Sequence, residues 1–204
     1  WTVRVNNNDT NRIFTTNFST SNQDLIAYSE TEYSYNYFLP NGNKFTTKPT
    51  VPTPNLITAI VPTKVISVDN LKDIHSVETV TYNDYYLPET TVNNVNNGYG
   101  ITTTTLNYSH NENGSGKDYY IGRPLSKKVV NQAYGKSSSS YETYTYNENF
   151  ISSKKIYDQN LSSFIQENYL HDGFGNLVQK DLSNSVSSEK KTVKTTYDSQ
   201  GKFV

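Results

Sequence analysis

The chain has 204 residues, with 18 basic against 19 acidic side chains and a formal net charge of -1, so it lacks the basic surface that binding to nucleic acid or an anionic membrane requires. Only 33% of the residues are hydrophobic, yet 13% are aromatic, 18 of them Tyr, and Asn, Thr and Ser together exceed a third of the chain. That mixture is too aromatic for a disordered tail and too polar for a helical bundle, and the absence of Cys excludes both a disulfide scaffold and a thiolate metal site.

Thr and Tyr prefer a pleated, half-buried surface, whereas Asn, Gly and Ser favour turns, so the composition predicts an all-β fold. In chain order, residues 1–47 are expected to form an N-terminal strand group. Within it, "NQDLIAYSETEYSYNYF" (22–38) is the one stretch with room for a short helix, although its Tyr-Ser-Tyr-Asn-Tyr end alternates like a strand. Residues 48–64 carry four of the seven prolines, which argues against a central strand and for a linker or an excursion along the sheet surface.

Residues 65–204 show clear period-two alternation. Val80 and Tyr82 share one strand face, with Val77, Thr79 and Thr81 on the other. Leu106 and Tyr108 lie opposite Ile101, Thr103 and Thr105. Tyr144 and Tyr146 lie opposite Tyr141, Thr143 and Thr145, and Val193 aligns with Tyr197. Asn41-Gly42, Asn97-Gly98 and Asn113-Gly114 are dipeptides that accept the positive φ of tight hairpin turns, and "HDGFGN" (171–176) and "DSQGK" (198–202) do so with more residues. Strand, turn and strand at close spacing predict an antiparallel meander.

The segments form a degenerate repeat: a Tyr anchor, a small polar residue, a loop and an outgoing strand. Copies begin at 33, 80, 106, 144, 168 and 195, and the last breaks off just after its turn, so this region is expected to be cut at its C-terminus. The repeat positions are Tyr82, Tyr108, Tyr146, Tyr169, Asp172, Gly173, Gly175, Tyr197, Asp198 and Gly201. A chain that opens on Trp1 and holds no Met, with no signal peptide and no bilayer-spanning apolar stretch, is expected to be a piece of a longer protein.

The candidate chemistry is thin. Asp158, Asp172 and Asp198 could serve as metal ligands or a general acid, but an Asp at a loop start more often bonds its own backbone two residues on. The oxygen-rich stretches 6–9 and 110–118 lack the ligand spacing of an EF-hand, and "GSG" (114–116) does not lead into the Gly-Lys-Ser/Thr of a phosphate loop in a strand-loop-helix setting. His75, His110 and His171 are far apart in sequence, and no Gly-x-Ser-x-Gly elbow occurs. No catalytic, metal or cofactor residue is therefore assigned. The Tyr rings are expected to stack across the ladder, the competing reading being a sugar-stacking platform. Arg123 either anchors a ligand or pairs with a carboxylate or stacks on Tyr119 or Tyr120.

The Tyr-Asp, loop, Gly, apolar pattern of "YLHDGFGNLVQK" (169–180) and "YDSQGKFV" (197–204), and more loosely of "YNENFISSKKIYD", resembles the YD repeats of Rhs (rearrangement hotspot) proteins. The segment Tyr119-Tyr120-Ile121-Gly122-Arg123-Pro124 with its sequel "LSKKV" is similar to a phrase of large secreted Rhs-type proteins of the Bacteroidetes. Residues 61–87 are similar to the region ahead of the repeats in such proteins and in B-type components of insecticidal toxin complexes. The resemblance spans roughly residues 60–204. It implies a curved antiparallel sheet that is a segment of a larger β shell, with a non-enzymatic role and secretion or display at a bacterial cell surface. The implied partners are the rest of the same polypeptide, an enclosed toxin domain or other toxin-complex components. The alternative is an adhesion or carbohydrate-binding module, as in the teneurins that use a similar shell for adhesion.

Overall fold

The computed structural model describes the backbone of residues 2–6, 12–21, 24–38, 44–45 and 59–202, and the side chains of residues 29–36 and 59–202. The Asn41-Gly42 turn, most of the 6–9 stretch and the prolines at 49, 52 and 54 lie outside the described residues. Apart from two short 3-10 turns at Asn96–Gly98 and Gly116–Asp118, the described elements are strands.

The chain divides into two units. The first comprises residues 1–104 and 131–137, the second residues 105–130 and 138–204. The first contains β1 (Thr2–Asn6), β2 (Arg12–Ser21), β3 (Asp24–Phe38), β4 (Lys44–Phe45), β5 (Ala59–Asp69), β6 (Ile74–Tyr82) and β7 (Pro88–Val95). Here β1 pairs with β2, β2 with β3, β3 with β5, β5 with β6 and β6 with β7, all antiparallel, while β4 pairs with the end of β3. The strands β8 (Gly100–Asn111), β9 (Tyr120–Ala133) and β10 (Lys136–Asn147) contribute residues to both units. In the second unit β11 (Phe150–Tyr157), β12 (Phe164–His171), β13 (Leu177–Asn184) and β14 (Lys190–Lys194) follow β10 in an antiparallel meander. Within each unit, strands adjacent in sequence are adjacent in space, apart from the short β4.

One expectation is corrected. Residues 24–38 form strand β3 throughout, with no helix. Its pairing with β2 shifts register between Asn17 and Phe18, and that bulge interrupts the alternation a strand would otherwise show. The 59–64 segment opens β5 and pairs with β3, and β5 gains β6 as a second partner only from Lys64 onward. Pro62 sits where pairing with β3 shifts register between Ser34 and Tyr35, and it lies outside the 64–69 stretch of β5 that pairs with β6. A residue without an N–H is tolerated at such a place.

Among the described residues only Ser126 and Asp181 are buried, both polar, and no large side chain is fully withdrawn from water. The second unit is held instead by ladders of side chains on its two faces. On one, Tyr144 of β10, Lys154 of β11, Glu167 of β12 and Leu182 of β13 stand in a single cross-strand row. On the other, Tyr141, Tyr157 and Phe164 form an aromatic row with ring centroids 5.6 Å apart at each step. Such cross-strand pairs each contribute roughly 0.2–1 kcal/mol.

Candidate functional site

The repeated element resolves into a turn built around one side chain. In four places an Asn or Asp (Asn83, Asp158, Asp172 or Asp198) heads the loop after a strand. The Oδ1 of Asn83 accepts the N–H groups of Tyr85 and Leu87, each at 3.0 Å. Asp172 accepts those of Phe174 and Asn176, each at 2.9 Å. Asp198 accepts those of Gln200 at 3.1 Å and Lys202 at 2.8 Å. Asp158 heads a loop one residue longer and accepts the N–H groups of Ser162 at 2.8 Å and Ser163 at 3.2 Å. One oxygen thus satisfies two loop N–H groups that no strand partner reaches.

The backbone closes each turn in the same way. The head carbonyl accepts the N–H of the third residue after it: Tyr86 at 3.0 Å, Leu161 at 3.1 Å, Gly175 at 3.1 Å and Gly201 at 3.0 Å. That third residue is left-handed in every copy, with φ of 62° at Tyr86, 58° at Leu161, 88° at Gly175 and 68° at Gly201. Glycine adopts this conformation without penalty, whereas an L side chain costs about 1–2 kcal/mol. Leu161 is 57% exposed and gains little from burial. Leu161→Gly is therefore expected to stabilise the protein by roughly 0.5–1 kcal/mol, read as a raised urea midpoint. A lowered midpoint would show that the leucine side chain holds the loop.

The carboxylates of Asp158 and Asp172 are held in their charged form. Bonds from Ser162 and Ser163 keep Asp158 below its ordinary value. At Asp172 partial desolvation works upward, but the donors of Asn176, Phe174 and Gly175 outweigh it and the net shift is downward.

Neighbouring loops also pack on one another. The Phe150 ring lies so close over Gly175 that a Cβ there would come within 2.7 Å of its Cζ, and Phe174 covers Gly201 at the same distance. The Asn176 amide donates to the Gly201 carbonyl at 2.8 Å.

The repeat tyrosines do not form the cross-strand aromatic row. Tyr82, Tyr146 and Tyr169 are fixed through their hydroxyls. Tyr82 donates to the Pro62 carbonyl at 2.7 Å and Tyr146 to the Pro124 carbonyl at 2.8 Å, each from just beyond a register shift in its strand. Tyr169 donates to Glu167, as Tyr144 does to Glu142. Lys154 reaches Glu142 at 3.1 Å, and Lys180 reaches Glu167 at 2.7 Å. Each Lys also lies about over the neighbouring Tyr, 5.9 Å and 5.8 Å from the ring centroids. Tyr108 and Tyr197 are half-buried, and Gly173 has open space around it.

The 119–124 segment is brought against the Tyr146 strand. The Arg123 guanidinium lies 3.5 Å from the Tyr120 ring centroid and 5.3 Å from that of Tyr146, and it donates to the Asn149 side-chain oxygen, with no carboxylate partner in this group. Gly122, at φ 78°, donates its N–H to His110 Nδ1 at 3.1 Å. Tyr119 and Ile121 are exposed. A lysine at 123 keeps the charge but loses the planar stack and the fork. Arg123→Lys is expected to lower stability by about 1 kcal/mol in chemical denaturation, and an unchanged midpoint would count against the stack.

Sequence reasoning passed over Asn83 as a turn head, the Glu142 and Glu167 clusters, and the loop rings Phe150 and Phe174. A Glu-x-Tyr spacing, seen at 142–144 and 167–169, was the signal available for the clusters.

Among the described residues no group of three or more His, Asp or Glu side chains is placed to hold a metal ion, and no helix is long and apolar enough to cross a membrane. His171 stacks on Phe150 with centroids 4.9 Å apart, away from the His110–Gly122 contact.

No protein-family model matches the chain, and no curated protein is similar to it. Among solved structures, a chain of the TcdB2–TccC3–Cdc42 crystal structure is similar over 91% of this chain, at 11% identity and a TM-score of 0.25. This chain spans 12% of that one.

Proposed function

We propose that the chain is a non-enzymatic structural segment of a large secreted protein of the Rhs/YD-repeat kind, forming part of a curved β wall that encloses a toxic segment. The observation that carries this reading is the fourfold recurrence of one turn, headed by Asn83, Asp158, Asp172 and Asp198, each head oxygen taking two loop N–H groups and each head carbonyl taking the N–H of the third residue on. A repeated device that returns the chain to an antiparallel neighbour builds wall, and the carboxylates of Asp158, Asp172 and Asp198 are engaged in building it. The resemblance of residues 60–204 to YD-repeat sequences supports the same reading.

The wall would act mechanically by keeping its contents out of contact with the producing cell. Its partners are the remainder of the same polypeptide and the enclosed segment. The test is to recover the flanking reading frame, express the longer polypeptide and combine limited proteolysis with electron microscopy. Further turn copies and a protease-protected segment inside a β enclosure are expected. Flanks without further copies, or a polypeptide digested evenly along its length, would overturn the reading. On its own the chain is expected to self-associate, because its exposed apolar side chains, among them Ile165, Leu182 and Val193, then meet water. Analytical ultracentrifugation reads this directly.

A further inference from the structure

Within the second unit the 147–150 and 172–176 turns flank a groove with a cavity volume of about 580 Å³, in the range of small-ligand sites. Its aromatic surface includes Phe150, stacked on His171 at 4.9 Å with ring planes 24° apart, Tyr169, and Phe174, which is 71% exposed. Asn147 and Ser152 supply amide and hydroxyl groups to its lining.

The charges around the groove are already matched. Lys117 Nζ lies 2.9 Å from Glu148. The Asp172 carboxylate is taken up by the N–H groups of Phe174 and Asn176 and by the Asn176 amide at 3.2 Å. The positions corresponding to Phe174 in the other three turns are Tyr85, Asn160 and Gln200.

We propose that this groove binds a neutral saccharide, with the C–H face of a pyranose against Phe174 and Phe150 and its hydroxyls toward Asn147 and Ser152. The positive C–H edge of a sugar ring complements the negative face of an arene. A purely apolar ligand would cover the Asn147 amide without offering it a partner, whereas the Ser152 hydroxyl already meets that of Thr145 at 3.0 Å, and a charged ligand would meet charges that are already paired. This inference is independent of the wall reading above, since it concerns a surface the wall could carry or lack.

The experiment applies the 204-residue chain to an array of neutral oligosaccharides of glucose, galactose and N-acetylglucosamine, with sialylated and sulfated members alongside. Isothermal titration with the best neutral member follows. Retention of neutral members is expected, with an affinity loss of about tenfold or more in Phe174→Ala and little change in Phe174→Tyr, a tenfold loss being about 1.4 kcal/mol. Because Phe174 also covers Gly201, Ser152→Trp provides a second variant that fills the groove and leaves Phe174 in place, and it is expected to abolish retention with an unchanged melting curve. No retention of neutral members, retention that requires acidic groups, or retention unaffected in a folded Ser152→Trp chain would each overturn the proposal.

Discussion

Gly114→Ala is expected to destabilise the protein by about 2–4 kcal/mol, which corresponds to a fall of roughly 1–2 M in the urea midpoint. A Cβ at this position would stand 2.1 Å from the Asp118 carbonyl oxygen, 2.4 Å from its carbon and 2.8 Å from the Asn111 amide nitrogen. Two of those atoms are backbone, so no rotamer change relieves the overlap and the loop must open. Opening it breaks the bond from the Asn111 amide to the Asp118 carbonyl, at 2.8 Å, and the bond from the Asp118 N–H to Ser115, at 3.1 Å. Gly173 is the matched control: nothing lies within 4 Å of its Cβ position and its φ is not left-handed. Gly173→Ala is expected to be neutral, or stabilising by up to about 1 kcal/mol, through the unfolded chain. Equal behaviour of the two variants would show that the 112–119 loop is not tightly closed.

Acid is expected to weaken the second unit through Asp181. Hydrogen bonds from Lys190, at 2.7 Å, and from Thr192, also at 2.7 Å, together with the Gln179 amide, push its pKa down to about 2. A carboxyl with a depressed folded pKa contributes fully above its unfolded value of about 3.9. That contribution is lost as pH falls through the folded value, so the window runs from about pH 4 down to about pH 2. Glu167 adds to the same limb, since bonds from Lys180 and then Tyr169 hold it below its ordinary range. At Glu142 partial burial works upward, yet Tyr144 and Lys154 prevail and the net shift is downward. The alkaline side follows with the opposite sign. Burial first, and the neighbouring glutamate second, raise the pKa of Tyr144 and Tyr169. Their contribution is complete below about pH 10 and declines above it. Denaturation midpoints measured from pH 2 to 11 should form a plateau with both shoulders. Asp181→Asn should lower the plateau and flatten the acid shoulder, and an unaltered acid shoulder would remove Asp181 from the account.

Strand β10 was legible because it alternates cleanly up to its bulge, as at Tyr141 to Thr145. β3 was not, because its bulge opposite Asn17 and Phe18 resets the alternation, and Leu25-Ile26-Ala27 reads equally well as one turn of helix. Turn heads were legible where a Gly followed three residues on, as after Asp172 and Asp198. Asn83 and Asp158 were harder to see because Tyr86 and Leu161 occupy the left-handed position, and the cost of placing them there leaves no trace in composition. The lysines that complete the Glu-x-Tyr clusters were hidden for another reason. Their placement depends on cross-strand register, which pairs Tyr144 with Lys154 and Tyr169 with Lys180, and register is a property of two strands at once.

In each unit the strand order follows the chain order, and this bears on how such a sequence changes over generations. A hairpin removed or duplicated as a whole leaves every other strand with a neighbour of the right direction and no connection to re-route. Each strand can also dock as it is synthesised, since its partner has already been made. Genes for folds of this kind can lengthen or shorten by unequal crossing-over within the repeat. The copies then drift apart, as the four turns here have done, provided each keeps an oxygen at its head and a residue that can turn left three places later.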